Sequence, residues 1–374
     1  MRRREFLAAA AAAGVTVGLT GCSTVESLDP SSTPTSTSPG TAPASPRPTD
    51  SATATPPDDA SGLPPLDGWE GSTAPDARIE GEIDREFRQT FHDHETVFRL
   101  SVPEALYDYY SRRYRTGVYG SYVSDSYDDQ YVQSLADEFR AYGERNGLSE
   151  REVVDHTMVF VQNLQYATDE VGTGFDEYPK YPVETLVDRG GDCEDTSILL
   201  SSLLEALGYD TVLLALYDAN HMALGVAGSD LSGSYYEFEG RRYYYVETTA
   251  PGWRVGEIPP EIQDTPAQFQ RVDRNPVLVV AWAVGVSTRE IQVESLLRNV
   301  GDAPAERASV QVDLETESGV VARNRSQQVR VTTDADQRQR FTLRRPDASV
   351  VRARVVVGLD GVLHDETYSD WRAL

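Results

Sequence analysis

The sequence predicts an α+β domain followed by an all-β sandwich, both carried behind an N-terminal segment that belongs to neither. Three observations predict this. An apolar helix opening at Gly190-Gly191-Asp192-Cys193 sits between amphipathic helical patterns and runs of strand character. Beyond about residue 276 the pattern changes to short runs of period two separated by turn clusters. Between residue 23 and about residue 66 large apolar side chains almost vanish. A chain of 374 residues, 39% hydrophobic and 9% aromatic, can bury at least one sizeable core. That excludes collagen-like, coiled-coil and wholly disordered classes. Acidic residues outnumber basic ones 60 to 34, for a net charge of −26. Such a surface repels phosphate backbones and excludes general nucleic-acid binding.

Residues 1–21 read as an export signal rather than as fold. Arg2, Arg3 and Arg4 form a positive start, and Arg3-Arg4-Glu5-Phe6-Leu7 resembles a twin-arginine signal. The apolar run Ala8 to Leu19 is shorter than the roughly 20 residues a spanning helix needs. It ends in Leu19-Thr20-Gly21-Cys22, which resembles a lipobox with Cys22 as the lipid-bearing residue. The expectation is a body tethered to the outer face of the cell membrane. Residues 22–66 are dominated by Ser, Thr, Pro and Ala and cannot offset the entropy of ordering, so they read as a disordered stalk. Lys180 is the only lysine. Strong acidity with so little lysine resembles the proteins of salt-loving organisms, where salt screens self-repulsion.

Residues 67–275 form the first predicted domain. Thr96 to Val102 alternates like a strand, and Pro103 opens an aromatic helix reaching Tyr114. Asp129 to Tyr142 reads as a second helix. Ser149 and Glu152 make a capping box for a third, whose apolar face is Val154, Met158, Val161 and Leu164. The tyrosines between Tyr107 and Tyr131 read as packing. Residues 276–374 form the predicted sandwich, beginning with the buried run Val277 to Val286 and continuing through Ser309–Leu314, Gln328–Thr332, Arg340–Leu343 and Val350–Val357. The Asn299-Val300-Gly301-Asp302-Ala303-Pro304 stretch resembles immunoglobulin-like adhesion modules of secreted archaeal and bacterial proteins. The one histidine of this region, His364, has no catalytic companions.

The chemistry concentrates around Cys193. Asp192 is a good N-cap, Asp195 stands three residues on, and Gly208 suits the left-handed closing position. Cys193 thus opens the helix, where the dipole favours a thiolate and backbone N–H groups can face an oxyanion. Asp192, Glu194 and Asp195 oppose the thiolate, so a nearby imidazole is required. Asn220-His221 opens the strand Met222-Ala223-Leu224-Gly225-Val226, and Tyr244-Tyr245-Val246-Glu247-Thr248-Thr249 follows on the next. Helix start, strand and adjacent strand are the arrangement that a nucleophile, a base and an orienting carboxylate need. No CxxC pair, HExxH helix, P-loop or dinucleotide turn occurs, so no metal or cofactor is expected.

These motifs resemble the transglutaminase-like superfamily over roughly residues 150–260. The resemblance implies a papain-like core, with a Cys-bearing helix packed on an antiparallel sheet. It implies Cys193 as nucleophile, His221 as general base and acid, and Glu247 as orienting carboxylate where the family usually has aspartate. The longer Glu247 side chain should reach the imidazole only with a shifted backbone or rotamer. The implied activity is thioester-forming acyl transfer on amide bonds of an extracellular peptide or protein, hydrolysis being favoured over amine cross-linking. The alternative is an inactive binding or scaffold protein of the cell envelope.

Overall fold

The computed structural model describes residues 65–92, 94–169 and 177–374. Cys22, the export segment and nearly all of the predicted stalk lie outside the described residues. The described chain is mixed α/β and rich in strand. Among the described residues no helix is long and apolar enough to cross a membrane.

A first strand, β1 (Pro65–Ser72), precedes a hairpin of β2 (Glu82–Phe91) and β3 (His94–Pro103). Helices α1 (Glu104–Arg112), α2 (Gly120–Val123), α3 (Asp129–Asn146) and α4 (Glu150–Gln162) follow. The expected capping box of α4 is present: Ser149 N donates to Glu152 Oε2 at 2.8 Å and Glu152 N to Ser149 Oγ at 3.3 Å. β4 (Gln165–Tyr166) pairs in parallel with β5 (Gly190–Gly191), with α5 (Pro182–Asp188) between them. β5 runs straight into α6 (Cys193–Leu207), so the short parallel pair holds the start of that helix.

The sheet of the first domain has the order β10-β6-β7-β9-β8 and is antiparallel throughout. Its strands are β6 (Asp210–Leu216), β7 (His221–Ala227), β8 (Tyr235–Phe238), β9 (Arg241–Val246) and β10 (Gln268–Arg271). Strand alternation sorts its residues onto two faces. Leu213, Ala215, Met222, Leu224, Val226 and Val246 share one core with Ile198, Leu199, Leu200, Leu203 and Leu204 of α6. Val212, Leu214, Leu216, Ala223, Tyr236 and Tyr245 form a second core on the other face. α6 is buried nearly all round, and even its polar Ser201 is satisfied by Thr211 Oγ1 at 2.7 Å.

The second domain is sandwich-like. One sheet has the order β1-β11-β12-β16, built on β11 (Leu278–Val286), β12 (Glu290–Asn299) and β16 (Asp336–Arg344). The other has the order β14-β13-β17-β18, with β14 (Gly319–Arg325), β13 (Ala305–Thr316), β17 (Val350–Leu359) and β18 (Val362–Tyr368), while β15 (Val329–Val331) pairs with β13 and β19 (Arg372–Ala373) with β17. The long apolar run at the start of this region is apolar because β11 is buried on both faces. Leu278, Val280, Trp282 and Val284 enter the sandwich core, while Val279 and Ala281 belong to the core of the first domain.

The sandwich also draws on a segment far from it in sequence. β1 pairs antiparallel with β11, and Trp69 is fully buried in the sandwich core, its Nε1 donating to Ser369 Oγ at 3.1 Å. The last residues of the stretch read as stalk therefore enter β1. A period-two reading could not find this strand, because Leu66 and Trp69, the two large apolar residues in Pro-Leu-Asp-Gly-Trp-Glu-Gly-Ser, stand three apart and do not alternate. Gly71 is obligatory: a Cβ there would lie 2.6 Å from the Trp282 ring. A buried ion network also joins the domains. Arg113, the residue that follows α1, lies 3.9 Å from Asp125 and 3.8 Å from Asp365 of β18. Trp69→Ala should cost about 3–5 kcal/mol of unfolding free energy through cavity formation. Denaturant unfolding that left the midpoint unchanged would show that β1 is dispensable.

Candidate functional site

Cys193 is the first residue of α6 and is half-buried. Three local features place it. Asp192 precedes it in extended conformation, and Asp192 N donates to Asp195 Oδ2 at 3.3 Å, as the capping pattern predicts. Gly191 leaves room for that carboxylate; a Cβ there would come within 2.2 Å of Asp195 Oδ2. Asp195 is itself buried and takes the Lys180 backbone N–H at 2.6 Å, while Lys180 Nζ donates to Gly190 O at 3.1 Å and pairs with Asp188 at 3.0 Å. The chain's only lysine thus pins the turn that delivers Cys193.

His221 is the first residue of β7 and follows Asn220, whose left-handed backbone (φ 49°) suits asparagine. Its Nε2 lies 3.0 Å from Glu247 Oε2. β9 stops at Val246, three residues short of the expected strand, which ran to Thr249. Glu247 occupies the turn that follows, because the next two amides fold back onto its own carboxylate. Thr248 N and Thr249 N donate to Glu247 Oε1 at 3.0 and 3.1 Å, and Thr249 Oγ1 donates to it at 2.7 Å. Tyr245 OH donates to Oε2 at 2.7 Å. The longer glutamate reaches the imidazole by leaving the strand, the backbone shift that its length requires. The turn is held from outside too: Gln162 Nε2 of α4 donates to Glu247 O at 2.8 Å, and Thr248 Oγ1 meets Thr196 Oγ1 of α6 at 2.8 Å.

The electrostatics divide into two regimes. Burial opposes a charge on Glu247, but the His221, Tyr245 and Thr249 hydrogen bonds outweigh it and hold the carboxylate ionised down to about 2. Around Cys193 the balance is reversed. Burial first, then the Glu194 carboxylate, push the thiol well above its ordinary range, and the sulfur donates to Glu194 Oε2 at 3.1 Å. Burial and the neighbouring Asp192 raise Glu194 to about 9. The helix start therefore does not by itself produce a thiolate. Burial also raises Asp169, to about 6, and lifts Asp195 well above the carboxylate range. Asp169, Asp192 and Asp195 each bring an oxygen within 4.8 Å of one another, a hard donor set of the kind that suits a divalent cation. The sequence pattern had suggested no metal, because Asp169 is distant in the chain.

Of the three expected site residues, the structure brings His221 and Glu247 into direct contact. Cys193 lies at the backbone of Met222, the residue after His221. Among the described residues its hydrogen bond goes to Glu194, and none joins it to the His221 ring. Ser197 Oγ, one turn into α6, donates to Met222 O at 3.4 Å and fixes the helix start against β7. Tyr245, Thr249 and Gln162 were missed; the Tyr-Val-Glu-Thr-Thr run was the one available signal. His156, without companions in sequence, is a fully buried ring among Phe91, Phe139 and Tyr142, and burial lowers it to about 4. Trp253 offers its carbonyl to Gln162 Nε2 at 3.2 Å.

No family model matches the chain, and no curated protein matches it. Among solved structures it is similar to a DUF3823 family protein from Bacteroides ovatus, at 17% identity and a TM-score of 0.23, over 41% of this chain and 74% of that one. It is also similar to calcium-bound LapG from Legionella pneumophila, at 22% identity and a TM-score of 0.27, over 39% of this chain and 85% of that one. EGTA-treated LapG aligns at 20% identity and a TM-score of 0.25, over 44% of this chain and 83% of that one. These findings correct the resemblance drawn from the motifs. Membership of the transglutaminase-like superfamily, the haloarchaeal lipoprotein type and the immunoglobulin-like identity of the sandwich are not upheld, since no family model or curated relative carries them.

Glu247 gives the fold an acid-sensitive point. Its folded pKa is depressed to about 2 from the ordinary glutamate value of 4.5. The unfolded chain therefore binds the extra proton between those values, and the Glu247 contribution is present above pH 4.5 and lost as pH falls towards 2. Glu247→Gln should flatten the stability profile over that window; a profile of unchanged slope would mean that the carboxylate is not held ionised.

Proposed function

We propose that the protein is a cysteine-dependent acyl-transfer enzyme that hydrolyses amide bonds of peptides or proteins. One observation carries the reading: an ionised Glu247 fixes the ring of His221 next to the strand backbone against which the Cys193 sulfur lies. Nε2 faces Glu247, which leaves Nδ1 as the nitrogen available to the sulfur. Because the resting sulfur is a thiol, His221 acts as a general base when substrate is in place and not as half of a standing ion pair. The sulfur attacks the amide carbon, and the thiol proton moves to His221. Backbone N–H groups at the start of α6 face the oxyanion. The C–N bond breaks as the imidazolium returns the proton to the leaving amine, and water then hydrolyses the thioester. The papain-like description of the α6-on-sheet core belongs to this proposal.

The hydrogen bond from Cys193 to Glu194 favours a second reading, a binding or scaffold protein whose thiol is masked. Peptide amides and iodoacetamide separate the two. Cys193→Ala should lower hydrolysis on the order of a thousandfold or more, and His221→Ala should slow alkylation of Cys193. A Cys193→Ala protein as active as wild type, or alkylation of Cys193 at the same rate with and without His221, would leave the scaffold reading.

The proposal extends to location. The substrate is a peptide or protein outside the cell, and the membrane is reached through a lipid on Cys22. Cys22→Ser should release the protein into the medium; equal retention in the membrane fraction would remove the anchor.

A further inference from the structure

Glutamate carries one more rotatable bond than aspartate, so a carboxylate on its end is harder to hold in one direction. Glu247 is nonetheless fixed by five donors. Their distribution is unequal. Oε1 is taken by the Thr248 and Thr249 backbone and the Thr249 hydroxyl, all from the turn itself. Among the described residues Oε2 meets only His221 Nε2 and the Tyr245 hydroxyl. Tyr245 stands two residues before Glu247 in β9, and its ring is fully buried in the second core of the sheet. Its hydroxyl therefore approaches from a rigid direction and shares one oxygen with the imidazole.

We propose that Tyr245 is a positioning residue: its hydroxyl orients the Glu247 carboxylate and, through it, keeps the His221 ring in the tautomer with the proton on Nε2. This deepens the acyl-transfer reading and rests on it for its consequence in catalysis. A buried tyrosine hydroxyl needs an acceptor in any case. The structural alternative would be met by any acceptor, whereas here the acceptor is the oxygen that faces the base. Without the hydroxyl, Oε2 keeps a single partner while the three donors on Oε1 remain, so the carboxylate can pivot about Oε1 and hold the ring in its tautomer less firmly.

The test uses Tyr245→Phe in the full chain, which keeps the ring and removes only the hydroxyl. Tyr236→Phe is the control. It removes a neighbouring buried hydroxyl of the same core, one that donates to Thr265 O at 3.1 Å and does not touch Glu247. Ring-nitrogen NMR, with His221 assigned by its loss in His221→Ala, reads the tautomer without any need for activity. Wild type and Tyr236→Phe should show the Nε2–H form, and Tyr245→Phe a mixture of both forms. Alkylation of Cys193 by iodoacetamide and kcat for a peptide amide should each fall roughly tenfold in Tyr245→Phe alone, the loss of one hydrogen bond to a charged group, with KM little changed. A single unchanged tautomer in Tyr245→Phe overturns the proposal, as does an equal effect of both tyrosine variants. If His221→Ala leaves alkylation unchanged, the acyl-transfer reading fails, and the tautomer still decides the role of Tyr245.

Discussion

A carboxylate kept charged where water scarcely reaches is the constraint from which the rest of the site follows. Glu247 is only 2% exposed. A buried charge is tolerable only when its lone pairs are filled and a partner is at hand. Filling them dictates the local backbone: β9 must end at Val246 so that the Thr248 and Thr249 amides can turn inward. The turn so formed is then gripped by α4 through Gln162 and by α6 through Thr196. The turn thereby ties two helices to the end of a strand, and the carboxylate it carries sets the orientation of His221.

The start of α6 solves the opposite problem. Asp169, Asp192, Glu194 and Asp195 crowd one another, and burial raises all four. Lys180 is the one lysine set against them, with its backbone N–H bonded to Asp195 and its ammonium bonded to Gly190 O. Two carboxylate environments a short distance apart are thus driven in opposite directions, one held ionised and the other drawn towards the proton. Divergent pKa values in neighbouring groups are how a site assigns separate roles to chemically similar side chains. The helix dipole at Cys193 acts within this acidic surrounding and does not overcome it.

The domains share structure as well as contact. β11 contributes to two cores at once, and β1 enters the sandwich from the far end of the described chain. Arg113, buried between Asp125 and Asp365, adds a polar tie whose partners come from both sides. Breaking such a network would leave an uncompensated buried charge.

The residues alone determined what depends on neighbours in the chain. Ser149 and Glu152 make the α4 cap, Asp192 and Asp195 start α6, and Gly208 ends it, because capping is a matter of three or four residues. The alternation of β13 and β17 and the apolar run of β11 were legible because each strand's burial is written in its own side chains. His221 and Glu247 were legible as candidates from their motifs, whereas the turn that brings a glutamate to the imidazole was not. What the tertiary structure decided is everything set by contacts distant in sequence. The β1–β11 pairing, the hydroxyl of Tyr245 on the shared oxygen, the approach of Asp169 to Asp192 and the protonation of the Cys193 thiol are of this kind. Pairing and proton affinity are properties of an environment, and that environment exists only once the chain has folded around it.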